Sequence, residues 1–243
     1  MTRAWVTILL ATAVSCDSAG RTSTGDASRP AESQARQVTS AARSPNQVFW
    51  DWFVANEDRI YDFESNREAI FDEVGAAMRK VHPDLTFEVG VAGSEKKRDF
   101  VISADGIKDA FPAVEELYAA APDLPRWQVV KFRPRVGTGM TVEIDGVKVE
   151  PEKIRYRLSP EGGKLGIVLC MEGMTPTTDA RFKQAGYLLL DGALGEYDVE
   201  TKVGFIDFVG PSTTRCEPDR HLADLARDFD AQYNRLSPHG NSD

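Results

Sequence analysis

FKQAGYLLLDGALGEYDVETKVGFIDF, residues 182–208, is the stretch from which the fold is read. Phe182, Ala185, Leu189, Leu190 and Ala193 recur at the spacing of one buried helical face. Gly192 and Gly195 close this helix on the sequence reading, and Val203, Phe205, Ile206 and Phe208 follow as a buried strand. Between them Gly195-Glu196-Tyr197-Asp198 reads as an acidic turn. A helix feeding a strand directly through a charged turn belongs to a central layer of a fold.

Working outward, residues 46–61 spell an amphipathic helix with Phe49, Trp52, Phe53, Asn56 and Ile60 on one face. Asn56 on that face is expected to satisfy a buried backbone group. Ser65-Asn66-Arg67-Glu68 fits a capping box and opens a second helix, which His82-Pro83 ends. Residues 85–91 and 98–104 read as an antiparallel hairpin, and 107–121 as a helix. Further strands are expected over 127–132, 141–144, 153–158 and 164–171, with turns at Asp145-Gly146 and Glu161-Gly162-Gly163. A last helix runs from Pro218 to Leu236. Hairpins with helices grouped between them predict an α+β fold. The expectation is one antiparallel or mixed sheet of about six to seven strands with four to five packing helices.

The chain has 243 residues, of which 42% are hydrophobic and 28% charged, and its formal net charge is −9. That balance argues against a nucleic-acid partner, which needs clustered Lys and Arg. The basic clusters, Lys96-Lys97-Arg98 and Arg133/Arg135, are too short to line a groove.

Residues 1–15 read as a signal peptide, with Arg3 as the positive region and Ala4 to Val14 as the apolar one. Ala13-Val14-Ser15-Cys16 resembles a bacterial lipobox, although Ala13 stands where Leu is usual. The resemblance implies lipidation at Cys16 and a membrane partner through that anchor. The alternative is a secreted or periplasmic soluble protein cleaved after the A-x-A site Ala11-Thr12-Ala13. Residues 16–45 lack aromatics and are rich in small polar residues, which predicts a flexible tether. A single domain is expected over 46–236, with a disordered tail at 237–243.

Candidate chemistry is sparse. With Cys16 lipidated, Cys170 and Cys216 remain as a possible disulfide; alternatively Cys170 is a small core residue and Cys216 an incidental loop thiol. His82, His221 and His239 are scattered, no metal-binding motif occurs, and neither a metal nor a cofactor is expected. Asp191, Glu196 and Asp198 surround one turn and could act as acid–base carboxylates, or simply be solvated. Arg133 and Arg135, at i and i+2 on a segment read as extended, would point the same way and could clamp an anion. Equally, they could form structural ion pairs with Glu57 or Glu196.

Three segments, FWDWFVANEDRIYDFE (49–64), LPRWQVVKFRPR (124–135) and LLLDGALGEYDVETKVGFIDF (188–208), are together similar to an uncharacterised bacterial domain family. The resemblance covers about residues 47–236 and implies a compact α+β domain, with no activity to carry over. The function read from the sequence is a non-catalytic binding or interaction module of the cell envelope. Its candidate site is Glu57, Trp127, Arg133, Arg135, Asp191 and Glu196, taking a protein or a small anionic ligand. The alternative is a carboxylate-based hydrolase-like enzyme acting on an anionic substrate. In that case Glu57, Asp191 or Glu196 is the catalyst, and Arg133 and Arg135 hold the anion.

Overall fold

The computed structural model describes residues 5–6, 43–90, 97–210, 215 and 220–236. The expected signal peptide, the Cys16 lipidation site, nearly all of the tether and the 237–243 tail lie outside these residues. Trp5–Val6 (β1) is the exception and pairs antiparallel with Gly90 and Val89.

Helix α1 (Pro45–Ala55) opens with a capping box that the sequence reading missed. Ser44 Oγ accepts from Gln47 N–H at 3.2 Å, and Gln47 Oε1 accepts from Ser44 N–H at 3.1 Å. Pro45 suits the first turn, where its missing N–H would be unpaired anyway. The continuous helix expected over 46–61 is interrupted at Asn56, and α2 (Glu57–Tyr61) follows. The Asn56 side chain donates to the Trp52 carbonyl at 2.8 Å, the backbone-satisfying role expected of it. The capping box expected at Ser65 does not form. Ser65 is held in a 3₁₀ turn, Phe63–Ser65, and its hydroxyl donates back to Asp62 O, so α3 (Arg67–Arg79) begins without it.

Strands β2 (Thr86–Gly90) and β3 (Arg98–Ser103) pair antiparallel, as expected. Helix α4 (Phe111–Ala119) then crosses over to β4 (Trp127–Lys131), which lies parallel to β3. One face of this sheet carries Phe87, Val89, Phe100, Ile102 and Trp127 into a core with Phe49, Phe53, Val74, Met78 and Leu117. Register puts Glu88, Val101 and Val130 in one row on the other face.

At the end of β4 the chain changes direction. Phe132 has φ 61°, a left-handed backbone that costs a bulky residue about 1–3 kcal/mol. Its N–H still reaches Ile102 O at 2.7 Å, and its ring packs 4.5 Å from Phe111 and 5.1 Å from Tyr197. The strands that follow therefore do not extend the first sheet. β5 (Val142–Ile144) and β6 (Val147–Val149) form a small hairpin across Asp145-Gly146. Both turn residues have positive φ, as a tight hairpin requires.

β7 (Ile154–Glu161) and β8 (Lys164–Met171) pair antiparallel, and α5 (Asp179–Leu194) and α6 (Glu196–Lys202) lead to β9 (Val203–Val209), parallel to β8. Helix α7 (Leu225–Leu236) follows a 3₁₀ turn, Leu222–Asp224, and begins later than expected; Pro218 is outside the described residues. Tyr156, Leu165, Ile167, Leu169, Leu190 and Phe229 form a second core, separate from the first.

The architecture is α+β, but among the described residues the expected single six-to-seven-stranded sheet is replaced by three small sheets, β1-β2-β3-β4, β5-β6 and β7-β8-β9, with seven α-helices. The two larger sheets share one plan, a hairpin, a helical crossover and a strand parallel to the hairpin's second strand. Cys170 is disulfide-bonded and lies in register with Arg155 and Val209; Cys16 and Cys216 are outside the described residues.

Candidate functional site

The site grows from the helix junction at residues 191–196. Gly195 ends α5 with φ 81° and ψ 144°, a backbone open essentially to glycine, and its N–H closes on Asp191 O at 2.7 Å. Gly192, expected to help close the helix, lies inside it and has another use. Its carbonyl receives the N–H groups of Val136 and Gly137, both at 2.9 Å, and a Cβ at Gly192 would meet Gly137 O at 2.9 Å. The segment 133–137 thus lies directly on α5.

The acidic turn expected at 195–198 is the first turn of α6. Its Glu196 is 0% exposed. Glu196 accepts from the backbone N–H groups of Ala104 at 3.0 Å, Gly106 at 3.2 Å and Arg133 at 3.0 Å. One carboxylate therefore ties the turn after β3, the exit of β4 and the start of α6 together.

Arg133 points into the same junction. Its Nε donates to Glu88 Oε1 at 2.6 Å, Nη2 donates to Asp105 Oδ1 at 2.8 Å, and Nη1 lies 3.5 Å from Asp191 Oδ2. Arg135 goes elsewhere, donating to Leu194 O, Asp198 and Asp230 at 2.6–2.7 Å. The two arginines therefore do not form the expected clamp. The i, i+2 rule holds for a strand, and β4 ends at Lys131, before either arginine. Their ion-pair partners are Glu88, Asp105, Asp191, Asp198 and Asp230; neither guanidinium pairs with Glu57 or Glu196.

Of the six residues expected to form the site, Arg133, Asp191 and Glu196 converge, and Arg135 lies beside them. Trp127 does not belong. It is 3% exposed and packs edge-on against Phe53 at 5.3 Å and Tyr61 at 5.7 Å. Glu57 is on α2, outside the lining of the cleft described below.

Burial pushes the Asp191 carboxyl up to about 7; the Arg133 charge opposes this, while Glu196, Asp105 and Glu200 add to it. Burial likewise raises Glu88 against the pull of Arg133. For Arg133, burial works against the charge, but Glu88, Asp105 and Glu196 outweigh it and hold the guanidinium above its ordinary range.

These groups close one end of a cleft of about 270 Å³. Leu188, Leu189 and Asp191 of α5 line it on one side and Val142 and Ile144 of β5 on another, with Val136 and Met140, both well exposed, also contributing. Glu88 enters from β2. The result is an apolar slot with two carboxylates and one guanidinium at its end. Among the described residues, no three His, Cys, Asp or Glu side chains are grouped so as to hold a metal ion.

Glu88 and Asp105 were missed from sequence. Glu88 alternates with Phe87 and Val89 like any solvent-facing strand residue. A signal existed one strand away, since Phe100-Val101-Ile102 is an unbroken apolar run, the mark of a strand covered on both faces. Its neighbour Glu88, 6% exposed, shares the covered face. Comparisons with protein-family models, curated proteins and solved structures find no match to this chain.

Proposed function

We propose that this protein is a non-catalytic binding module of the cell envelope whose ligand site is the cleft between α5, β5 and segment 133–137. One observation carries the reading: an apolar slot is lined by the buried Glu88 and the largely buried Arg133 and Asp191, the usual arrangement of a small-molecule site. The N–H groups of Arg133 and Arg135 are directed at the protein's own carboxylates and carbonyls, which argues against the anionic ligand expected from sequence.

The test is an NMR screen of single-ring fragments against the full mature chain. Binding should perturb Leu188, Leu189 and Val142, and Val142→Trp, which fills the slot from β5, should abolish it. Perturbations that persist in Val142→Trp, or that map only elsewhere, overturn the assignment.

A second reading, a carboxylate-based hydrolase-like enzyme, is favoured by the raised Asp191 and Glu88 facing one cleft, since two carboxyls poised differently can serve as acid and base. Turnover of a model ester or glycoside that Asp191→Asn abolishes would favour it over simple binding.

The envelope setting rests on the apolar start and the lipobox-like Ala13-Val14-Ser15-Cys16. Among the described residues no helix is long and apolar enough to cross a membrane. Membrane-extracted protein is expected to carry a diacyl or triacyl mass on Cys16, lost in Cys16→Ala; a lipid-free mature chain beginning at Val14 would remove the anchor.

A further inference from the structure

We infer that the ligand of the cleft is an organic cation, an ammonium or guanidinium on an apolar body, whose charged head sits against the Asp191 carboxylate in the cleft that Glu88 also lines. The inference rests on the cleft being a ligand site and specifies what the site takes. Three observations point to a positive head. First, Arg133 is the cation facing the three carboxylates Glu88, Asp105 and Asp191, so the end of the cleft is short of positive charge. Second, the carboxylates facing the slot are incompletely satisfied. Glu88 is 6% exposed and gives Oε1 to Arg133, while Oε2 receives no hydrogen bond from any described residue. The Asp191 carboxylate meets Arg133 only at 3.5 Å and accepts no hydrogen bond among the described residues. Third, the remaining lining is mostly aliphatic, with Val142, Ile144, Leu188 and Leu189 suited to a hydrocarbon body.

These carboxylate oxygens are reached by solvent only at the cleft, and a charged donor arriving there replaces that partial hydration best. An anion would add a further negative charge to that end, and a neutral alcohol would supply only one weak donor. Size limits the body: 270 Å³ corresponds to about nine waters at their liquid volume, room for a single ring on a short chain.

Protonation of Asp191 tunes the site. Facing it are Arg133 from the covering segment, Asp105 from the turn after β3, and Glu196 and Glu200 from α6; Glu88 and Glu143 also line the cleft. With its carboxyl up near 7, Asp191 accepts a proton as pH falls through neutrality and then ceases to attract a cation.

The experiment compares 3-phenylpropylamine, 3-phenylpropan-1-ol and 3-phenylpropanoate, titrated into the full mature chain and followed by NMR. At pH 8 the amine should bind roughly tenfold or more tightly than the alcohol, with the carboxylate weakest. Amine binding should weaken roughly tenfold between pH 8 and pH 5.5, and Asp191→Asn should remove most of both the preference and the pH dependence. Asn is isosteric with the carboxyl, and Glu88→Gln gives a second route to the same loss of preference. Binding of the alcohol or the carboxylate as tightly as the amine overturns the inference and leaves the cleft as a ligand site. Failure of all three probes at about 10 mM, well above the affinity of a useful site, overturns both.

Discussion

Arg133→Met is expected to cost about 3–5 kcal/mol of folding stability at pH 8 and clearly less at pH 5. Methionine fills much of the same volume, so the loss is not mainly one of packing. It comes from leaving Glu88 and Asp191 in a buried site without the cation they face, while Asp105 is half exposed and rehydrates. The pH dependence follows from the sign of the shifts. Asp191 and Glu88 are already raised above their unfolded values, and the Arg133 charge is among the influences lowering them. Without it both rise further. A carboxyl with a raised folded value binds its proton more tightly in the native state, so its contribution to stability is present at low pH and is lost as pH climbs through that value. For Asp191 the loss develops from about pH 4 to beyond pH 7. At pH 5 the variant neutralises its stranded carboxyls at little cost; at pH 8 doing so costs much more. Urea denaturation at the two pH values measures the difference, and an equal cost at both would show that the carboxylates do not depend on Arg133.

Glu196→Ala is expected to be comparably damaging, by about 3–5 kcal/mol, and to differ in kind. Its carboxylate receives three backbone N–H groups in a site closed to solvent, and alanine leaves all three without an acceptor. Those N–H groups belong to the turn after β3 and the exit of β4, on the side of the first core, whereas Glu196 opens a helix of the second. The substitution therefore weakens the connection between two cores that otherwise hold separate sets of side chains. Urea unfolding should move to lower denaturant and broaden into a lower apparent slope or two steps. A single transition of unchanged slope, displaced by less than about 1 kcal/mol, would show that water replaces the carboxylate and that other contacts join the cores. Glu196→Gln keeps one acceptor oxygen but turns an amide donor toward an N–H, so it should fall between the two.

Both substitutions act through contacts that the linear chain does not advertise. Local periodicity was enough to place α3, the β2–β3 hairpin, α4, the β7–β8 hairpin, α5 and β9, because each buries a face whose spacing repeats within a few residues. Spacing also singled out Arg133, as half of an i, i+2 pair with Arg135, and Asp191 and Glu196, as carboxylates around one turn. It failed where one residue's backbone decided the outcome. Nothing in LPRWQVVKFRPR marks Phe132 for a left-handed conformation, yet the first sheet ends there and the later strands form other sheets around a second core. Nor could spacing show that Trp127 is buried under Phe53 and Tyr61.

The α+β class, most of its elements and the acidic character of the central junction are legible in the chain, because they follow from composition and short-range periodicity. Which carboxylates surround Arg133, that Glu196 joins two cores, and that an apolar slot opens beside Asp191 emerge only when the chain is packed. Those depend on residues 45 to more than 90 positions apart meeting across the junction. Long-range pairing is set by how whole faces pack, and no local pattern encodes it.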